Sequence, residues 1–344
     1  MTTVNREEFL HLLESVQPGL SGREIIEQSS CFVFKDGKVL TYNDEVACSQ
    51  KSMLNITGAV QSAPLLAILR KLVEDEIDVD VVEGELVIQG KRRRAGIRCE
   101  ETVLLPVENV ETPSKWVTLH EEFLESVNMV QHCAGHDESE FALTCVHLMP
   151  NCIEASDNFQ ITRVKIETGV KESTLVRRDS IKHIVSMGMV ELSETASWLH
   201  FRNPNGLILS CRRYVETYPD LKAMLVFDAS PFTLPKGLSE AAEKAAIFSA
   251  DSSEDNQVKV DLLPGKLRLR GEGTSGWFEE RRKVDYEGKP ISFLVSPTLL
   301  VDLVAKHNAV EISATRLRVN GGRWKYAASL NMPDEKGLDK EISE

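Results

Sequence analysis

Residues 152–166 read CIEASDNFQITRVKI and lie near the middle of the chain. A mainly apolar run enters a polar turn at residues 156–158, and a second run with Ile161, Val164 and Ile166 leaves it. Asp and Asn favour turns because their side chains bond to nearby backbone groups and tolerate left-handed backbone angles. The stretch therefore predicts two strands joined by a tight turn.

The composition bounds the class of protein. The chain has 344 residues, of which 42% are hydrophobic and 27% are charged, which is enough for two or three globular domains. It contains no apolar run of membrane-spanning length and no basic-then-apolar signal segment at its start. We therefore expect a cytoplasmic protein without a membrane partner. The seven cysteines lack paired spacing, which predicts reduced and mostly buried thiols.

The charge balance limits how the chain can meet nucleic acid. Lys and Arg number 40 against 53 for Asp and Glu, a net charge of −13. Bulk attraction to phosphates is therefore excluded, and any contact with DNA must come from a local basic surface.

The order of predicted elements repeats along the chain. First helices are predicted to start near residues 6, 120 and 238, and the second of them covers residues 119–130. Second helices are predicted near residues 62, 177 and 297, the last two covering residues 177–187 and 297–306. Hairpin turns are predicted at residues 36–37 and 83–84. Both series of helices have a spacing of roughly 115 to 120 residues, about one small domain. The pattern predicts domains at residues 1–114, 115–228 and 229–333, followed by an acidic and disordered tail at 334–344. Three unrelated domains or one large irregular domain are the alternatives.

The strands of the last copy show what kind of sheet to expect. Apolar Val258, Val260 and Leu262 alternate with Lys259 and Asp261. Such alternation is typical of an antiparallel sheet with one covered face and one wet face. Two helices in each copy supply the cover, which predicts an α+β fold.

Several short segments carry a family resemblance. Residues 18–23 (PGLSGR), 214–220 (YVETYPD), 240–249 (EAAEKAAIFS), 284–288 (VDYEG) and 329–333 (SLNMP) follow one another at suitable separations. Together with the turn at residues 156–158, they resemble bacterial sliding clamps, the β subunit of DNA polymerase III. No single segment is specific, but five in this order and at these separations make the resemblance much stronger.

The resemblance implies a function as well as a fold. It implies three tandem clamp domains that form half of a six-domain ring, closed by a homodimer around double-stranded DNA. Such a processivity factor is not an enzyme, needs no cofactor and acts on the nucleoid in DNA replication. It binds the DNA polymerase and the clamp loader through their short linear motifs. The alternative is a clamp-fold scaffold or decoy for such motifs that does not encircle DNA.

The resemblance also transfers site residues, position by position. The peptide-binding pocket would comprise Ala142, Ser156, Asn158, Phe159, Gln160, Ile161, Val226, Leu330, Met332 and Pro333. The DNA-binding residues would be Arg23, Arg70, Phe141, Arg177 and Arg178. The dimer interface would include Ile97, Ile247 and Phe248.

Phe159 and Gln160 depart from the family's pattern, which has His and Arg at these two positions. The change makes the edge of the pocket less polar and less basic, so different peptides are expected to bind. The divergence favours an unusual clamp, encoded by a phage or mobile element.

Other chemistry finds little support in the sequence. His132, Cys133, Cys145 and His147 invite a zinc interpretation, but two are predicted at a helix end and two along a strand. Zinc sites usually take paired ligands from tight loops, so no metal is expected. Nucleotide-binding and hydrolase signatures are absent from the sequence.

Overall fold

A computed structural model describes residues 1–235, 237–249, 257–295, 297, 300–301, 309–313 and 315–330. The chain divides into two compact units. The first unit comprises residues 1–155 and 165–218, and the second comprises residues 156–164 and the described residues from 219 onward. Among the described residues, no helix is long and apolar enough to cross a membrane.

The described helices are mostly short. They are α1 (Arg6–Ser15), α2 (Ser62–Lys71), α3 (Phe123–Gln131), α4 (Arg178–Ile181), α5 (His183–Ser186), α6 (Lys222–Leu225) and α7 (Leu238–Ser249). Short 3-10 helices cover Gln17–Gly19, Val107–Asn109 and Glu138–Thr144, and the last of these has a kink at Glu140.

Strands make up most of the remaining regular structure. In the first half of the chain they are β1 (Thr2–Asn5), β2 (Cys31–Lys35), β3 (Lys38–Tyr42), β4 (Val46–Lys51), β5 (Gly58–Gln61), β6 (Glu76–Val82), β7 (Glu85–Gln89), β8 (Arg94–Glu100), β9 (Val117–Thr118), β10 (Cys145–Met149), β11 (Cys152–Ser156) and β12 (Gln160–Lys165). In the second half they are β13 (Thr174–Arg177), β14 (Glu191–Glu194), β15 (Trp198–Arg202), β16 (Ile208–Arg212), β17 (Ser230–Thr233), β18 (Val258–Leu263), β19 (Lys266–Gly273), β20 (Gly276–Lys283), β21 (Ile291–Val295), β22 (Ala309–Ile312), β23 (Arg316–Asn320) and β24 (Trp324–Ser329).

A long antiparallel sheet organises the first unit. Its strands follow the order β1-β6-β7-β8-β5-β2-β3-β4-β16-β15-β14-β9. The pairing of β4 with β16, with Cys48 opposite Leu209, joins the first and second predicted domains into this one sheet. Both residues are buried, so the junction has an apolar core. A separate group of strands in this unit, β13-β10-β11, is also antiparallel.

Helix α1 shows how local sequence and core packing agree. The side chain of Asn5 accepts hydrogen bonds from the backbone N–H groups of Glu7 (3.0 Å) and Glu8 (3.1 Å), which caps the helix. The two carboxylates lie in the first turn, where the helix dipole favours negative charge. Phe9 and Leu13, four residues apart, are fully buried on one face.

The second unit contains two antiparallel groups of strands. One has the order β12-β24-β23-β22-β17 and the other has the order β20-β19-β18-β21. Helix α7 packs on the second group through buried Ala241, Ala242 and Ala245. Gly271 permits this close approach, because a Cβ atom there would lie 2.1 Å from the carbonyl oxygen of Ala245.

The predicted α+β fold is confirmed, and so are most of its local features. The hairpin turns at residues 36–37 and 83–84 have left-handed backbone angles, and Asn158 has a φ of 73° in the turn that joins β11 and β12. The seven cysteines are buried and free of disulfides, as expected. The three domain boundaries remain a prediction.

Some predicted elements differ from the structure. The helix expected at residues 177–187 is two short helices, α4 and α5, that meet at Lys182. The helix predicted from Leu119 starts at Phe123, and strand β4 was not predicted. Most of the helix predicted at residues 297–306, and the whole tail 334–344, lie outside the described residues.

Candidate peptide-binding and DNA-contacting sites

The turn at residues 156–160 is stabilised by its own side chains. Oδ1 of Asp157 accepts hydrogen bonds from the backbone N–H groups of Phe159 (3.0 Å) and Gln160 (2.9 Å). Oδ2 of Asp157 accepts a further hydrogen bond from Nε2 of Gln160, at 2.9 Å. A side chain that bonds the backbone two and three residues ahead fixes a tight turn. The turn is therefore well defined although it is short.

Hydrogen bonds to strand β24 hold this turn in place. The carbonyl oxygen of Phe159 accepts a hydrogen bond from the backbone N–H of Ser329 at 2.6 Å. The hydroxyl of Tyr326 donates to Oε1 of Gln160 at 3.2 Å. Both the nitrogen and the oxygen of the Gln160 amide are thus bonded to protein groups. Gln160 is the residue at which the clamp family has an arginine.

Two arginines of β23 bind α6 and the segment that follows it. The guanidinium of Arg318 donates to the carbonyl oxygens of Leu225 (3.1 Å) and Phe227 (3.3 Å) and pairs with Glu311. Arg316 donates to the carbonyl oxygen of Ala223 at 3.2 Å. The guanidinium carbons of Arg318 and Arg316 also lie 4.9 and 5.8 Å from the ring centre of Phe227, which is cation–π distance.

The sheet register brings Phe159 and Val226 to the same end of the sheet. Ser329 on β24 is bonded to the carbonyl oxygen of Phe159 through its backbone N–H, as described above. On the next strand, β23, Arg316 lies opposite Ser329. Strands β12 and β23 are separated by one strand, which corresponds to about 10 Å. Phe159 is 64% exposed and Val226 is 74% exposed. We call these two side chains, with the partly buried Phe227 beside Val226, the Phe159–Val226 surface.

The other predicted pocket residues occupy different environments. Ser156 and Ile161 are fully buried, and Leu330 is nearly so, with its N–H bonded to the carbonyl oxygen of Thr315 at 2.8 Å. Ala142 lies in the first unit, within the 3-10 turn Glu138–Thr144. Met332 and Pro333 lie outside the described residues.

The predicted DNA contacts fall into two groups. Arg23 lies exposed in the loop after the first 3-10 turn, and Arg70 lies in the last turn of α2 with half its side chain exposed. Arg70 donates to Oε1 of Glu14 from Nε (3.1 Å) and from Nη2 (2.8 Å). An exposed pair of this kind is weak, so Arg70 can turn to a phosphate at little cost.

The second group is held by protein contacts. Arg177 pairs with Glu138, and its guanidinium carbon lies 5.5 Å from the ring centre of Phe141. Burial acts to lower the pKa of Arg177, but the hydrogen bond and charge of Glu138 outweigh it and raise that pKa. Arg178 donates to the carbonyl oxygen of Ala134 at 3.1 Å and contacts the His136 ring. Both cations thus have protein partners.

Edge strands accompany the residues predicted at the dimer interface. Ile97 lies half-buried on β8, whose residues 94–98 pair with β7 on one side. Only Cys99 and Glu100 of β8 pair with β5 on the other side, and β20 pairs with β19 alone among the described strands. Ile247 on α7 is 69% exposed, and Phe248 is half-buried and lies beside Gly276.

Sequence reasoning missed the residues that shape the Phe159–Val226 surface. Arg316, Arg318 and Phe227 were not among the predicted site residues. A signal existed, because two arginines alternate on a strand and the pair Val226-Phe227 follows a short helix. Only the fold shows that these two features meet.

Comparisons with known proteins place this geometry in context. No protein-family model matches the chain, and no curated protein matches it. Among solved structures, the DNA polymerase III β chain of Streptococcus pneumoniae matches with a TM-score of 0.80 at 17% identity, over 96% of this chain and 99% of that chain.

Two further structures agree with it. The DNA polymerase III β subunit of Thermotoga maritima matches with a TM-score of 0.77 at 17% identity, over 96% of this chain and 99% of that chain. The Bartonella birtlesii sliding clamp, crystallised with griselimycin bound, matches with a TM-score of 0.80 at 16% identity and the same coverage.

The chain therefore has the fold of sliding clamps. More particularly, it has the fold of the bacterial DNA polymerase III β subunit over nearly its full length, at the low identity of a divergent sequence.

Proposed function

We propose that the chain is a sliding clamp, a homodimeric ring of six domains that encloses duplex DNA in the cytoplasm and tethers a replicative polymerase. The extent of the fold likeness carries this proposal. It covers 96% of this chain and 99% of a clamp subunit, so nearly every part of that subunit has a counterpart here. A tether of this kind works by enclosure and requires no catalytic residue.

Ring closure would use strands β8 and β20. Among the described residues, β8 at residues 94–98 and β20 each pair with another strand on one side alone, so their other sides offer backbone hydrogen-bonding groups that invite a further strand. Both edges carry charge, with Arg94 and Arg98 on β8 and a run from Glu279 to Lys283 on β20. We infer that β8 of one subunit pairs with β20 of the other, with Ile97 and Ile247 beside the junction.

Contact with DNA would be weak and independent of sequence. The net charge of −13 provides no general attraction, so the exposed Arg23 and the Arg70–Lys71 pair at the end of α2 would supply the phosphate contacts. The acidic Glu7 and Glu8, which oppose such contacts, occupy the first turn of α1 where they stabilise the helix. Weak contacts suit a ring, because enclosure prevents dissociation.

The Phe159–Val226 surface would bind the polymerase and the clamp loader. Its exposed apolar side chains lie at the same end of one sheet, which suits a short peptide with two apolar anchors. The amide of Gln160 is already bonded to Asp157 and Tyr326, so it offers little to an acidic peptide. We infer that the preferred peptides are apolar rather than acidic at this edge.

Retention on circular DNA tests the ring. Light scattering should give a mass near twice 38.4 kDa. The protein should co-elute with nicked circular plasmid and be released when a restriction enzyme linearises the plasmid. Ile97→Asp with Ile247→Asp should yield monomers that are not retained, whereas Val215→Asp, at an exposed valine away from both edges, should change neither result. A monomeric wild-type protein, or retention that survives linearisation, would contradict the proposal.

Peptide titration tests the docking surface separately. Phe159→Ala with Val226→Ala should weaken binding of a polymerase-derived peptide at least tenfold, since each side chain would bury apolar area. Val215→Ala, at an exposed valine of the first unit, is the matched control. Griselimycin, bound in the Bartonella birtlesii structure, is a second probe. Peptide binding by a protein that stays monomeric would favour the scaffold or decoy alternative.

A further inference from the structure

Three polar side chains form a row on one face of the β13-β10-β11 sheet. His147 on β10 lies directly opposite Glu154 on β11 and opposite Leu175 on β13. Successive residues of a strand point to opposite faces, so Ser173, two residues before Leu175, lies on the face of His147. The row therefore reads Ser173, His147, Glu154, with the imidazole in the middle.

The distances within the row are those of hydrogen bonds. Nε2 of His147 lies 2.6 Å from Oγ of Ser173, and Nδ1 lies 2.9 Å from Oε1 of Glu154. An ionised carboxylate can only accept, which places the imidazole proton on Nδ1. Nε2 is then unprotonated and accepts the hydrogen bond that the Ser173 hydroxyl donates.

Burial separates the roles of the three side chains. Glu154 is 3% exposed and His147 is 8% exposed, whereas Ser173 is exposed to solvent. The Tyr218 ring packs over the imidazole with the ring centres 4.6 Å apart. A charge-assisted hydrogen bond is stronger away from water, so Glu154 holds the imidazole firmly in one orientation. The hydroxyl at the end of the row remains open to a reagent.

The backbone next to the hydroxyl can also donate a hydrogen bond. The N–H group of Ser173 belongs to the same residue as the hydroxyl, and among the described residues it donates to no backbone carbonyl outside the regular helices and strands. An N–H next to a nucleophilic oxygen can stabilise the oxyanion that forms when this oxygen attacks a carbonyl group.

We propose that Ser173, His147 and Glu154 form a second site, in which Ser173 is an activated nucleophile for small activated carboxylic esters. Oγ of Ser173 forms a bond to the carbonyl carbon while its proton moves to Nε2 of His147. The bond from this carbon to the leaving oxygen then breaks, and the leaving oxygen takes the proton from Nε2. Water releases the acyl group by the same steps. Ser173 and His147 are the catalytic residues, and Glu154 is a positioning residue.

A fluorophosphonate probe tests the nucleophile in the full-length protein. The probe should label the wild-type protein at Ser173, located by peptide mass spectrometry, and Ser173→Ala should abolish the labelling. Ser139→Ala should leave it intact, because Ser139 is an exposed serine bonded to Asp137 rather than to a histidine. His147→Gln should slow labelling at least 100-fold, the usual effect of losing a general base.

A conservative variant separates catalysis from a structural role. Glu154→Gln should slow labelling at least tenfold, because a neutral amide no longer stabilises the positive charge that the imidazole gains when it takes the proton of Ser173. Glu154→Asp keeps the carboxylate and should recover part of that rate. Melting curves identify variants that fail to fold, and Ser173→Ala remains decisive because it changes an exposed side chain. Labelling at Ser173 no faster than at Ser139, or equal losses in Glu154→Gln and Glu154→Asp, would overturn the proposal.

Discussion

Two regions of the molecule depart from the usual distribution of apolar and ionisable side chains, and they do so in opposite ways. They are the Phe159–Val226 surface of the second unit and the Ser173–His147–Glu154 row of the first unit. The first exposes apolar side chains while the amide of Gln160 is bonded to protein groups. The second buries a histidine and a carboxylate and exposes the hydroxyl of Ser173. Large exposed apolar side chains and buried ionisable groups are the informative exceptions in a folded protein. The first suits docking and the second suits proton transfer.

The largest effect is expected from Gly271→Ala in the second unit. Its Cβ would lie 2.1 Å from the carbonyl oxygen of Ala245, and both groups belong to packed backbone. We expect a loss of about 3–5 kcal/mol in the free energy of unfolding, as for the most severe core substitutions. Urea unfolding would measure it. Gly265→Ala is the control. Gly265 has a φ of 74° in a turn with open space around it, so an added Cβ there causes backbone strain without a clash. Equal losses in the two variants would contradict the packing argument.

A pH-dependent loss of stability is expected in the first unit. His200 is fully buried, and burial lowers its pKa to about 4 from an ordinary 6.5. As the pH falls, the unfolded state therefore binds the proton first. The stability that the protein gains from a neutral His200 is intact above pH 6.5 and is lost as the pH falls towards 4. The full loss corresponds to about 3 kcal/mol.

Urea unfolding at several pH values measures the His200 effect. His200→Gln should show a shallower fall in stability between pH 6.5 and 4 than the wild-type protein. His11→Gln, at an exposed histidine, is the control and should keep the wild-type slope. Identical slopes in all three proteins would remove His200 as the cause. The expected result, a changed slope in His200→Gln alone, would show that burial of a histidine, rather than its presence, governs the pH response.

Arg318→Met should weaken the docking surface without changing any side chain exposed on it. The variant loses the hydrogen bonds to the carbonyl oxygens of Leu225 and Phe227. We expect a loss of about 2 kcal/mol in stability, since hydrogen bonds to charged groups are worth about 1.5–3 kcal/mol each in favourable cases. Peptide affinity should fall with it, measured by calorimetry. Lys182→Met, at an exposed lysine paired with Asp179, should leave both quantities unchanged. An unaltered affinity in Arg318→Met would show that the segment after α6 does not form the surface.

The smallest effect is expected at the turn. Asn158 has a φ of 73°, which costs a residue with a Cβ about 1 kcal/mol unless its side chain suits that region. Asn158→Ala should therefore lose about 1 kcal/mol of stability, whereas Asn158→Gly should stay within about half of that. Thermal unfolding of the two variants measures the difference. Equal stabilities would show that the left-handed angle places no demand on this residue.

Much of the fold could be predicted from local chemistry. Asp157 and Asn158 indicated the turn between β11 and β12, and the structure shows the backbone hydrogen bonds and the φ value that such residues favour. Apolar alternation in β18 and β19 indicated a one-sided sheet. The prediction of one helix at residues 177–187 was less accurate, because the spacing of apolar residues does not reveal the break between α4 and α5 at Lys182.

The candidate sites were harder to predict from the sequence than the fold was. Phe159 and Val226 were predicted through the resemblance, and the structure shows both exposed near one end of a sheet. Arg318 could not be assigned to them, because its partners at Leu225 and Phe227 lie more than ninety residues away in sequence. His147 was considered as a zinc ligand, although its partners are Glu154 and Ser173.

The sequence by itself determined the turns, the amphipathic strands and the helix caps of this protein, because these depend on residues within a few positions of one another. Only the tertiary structure decided which strands pair, as with Cys48 of β4 opposite Leu209 of β16. Register also decided that Ser173 meets His147 and that Arg316 lies beside Phe227. Such pairings depend on the combined burial of distant strands, and a shift of one residue would turn each side chain to the opposite face.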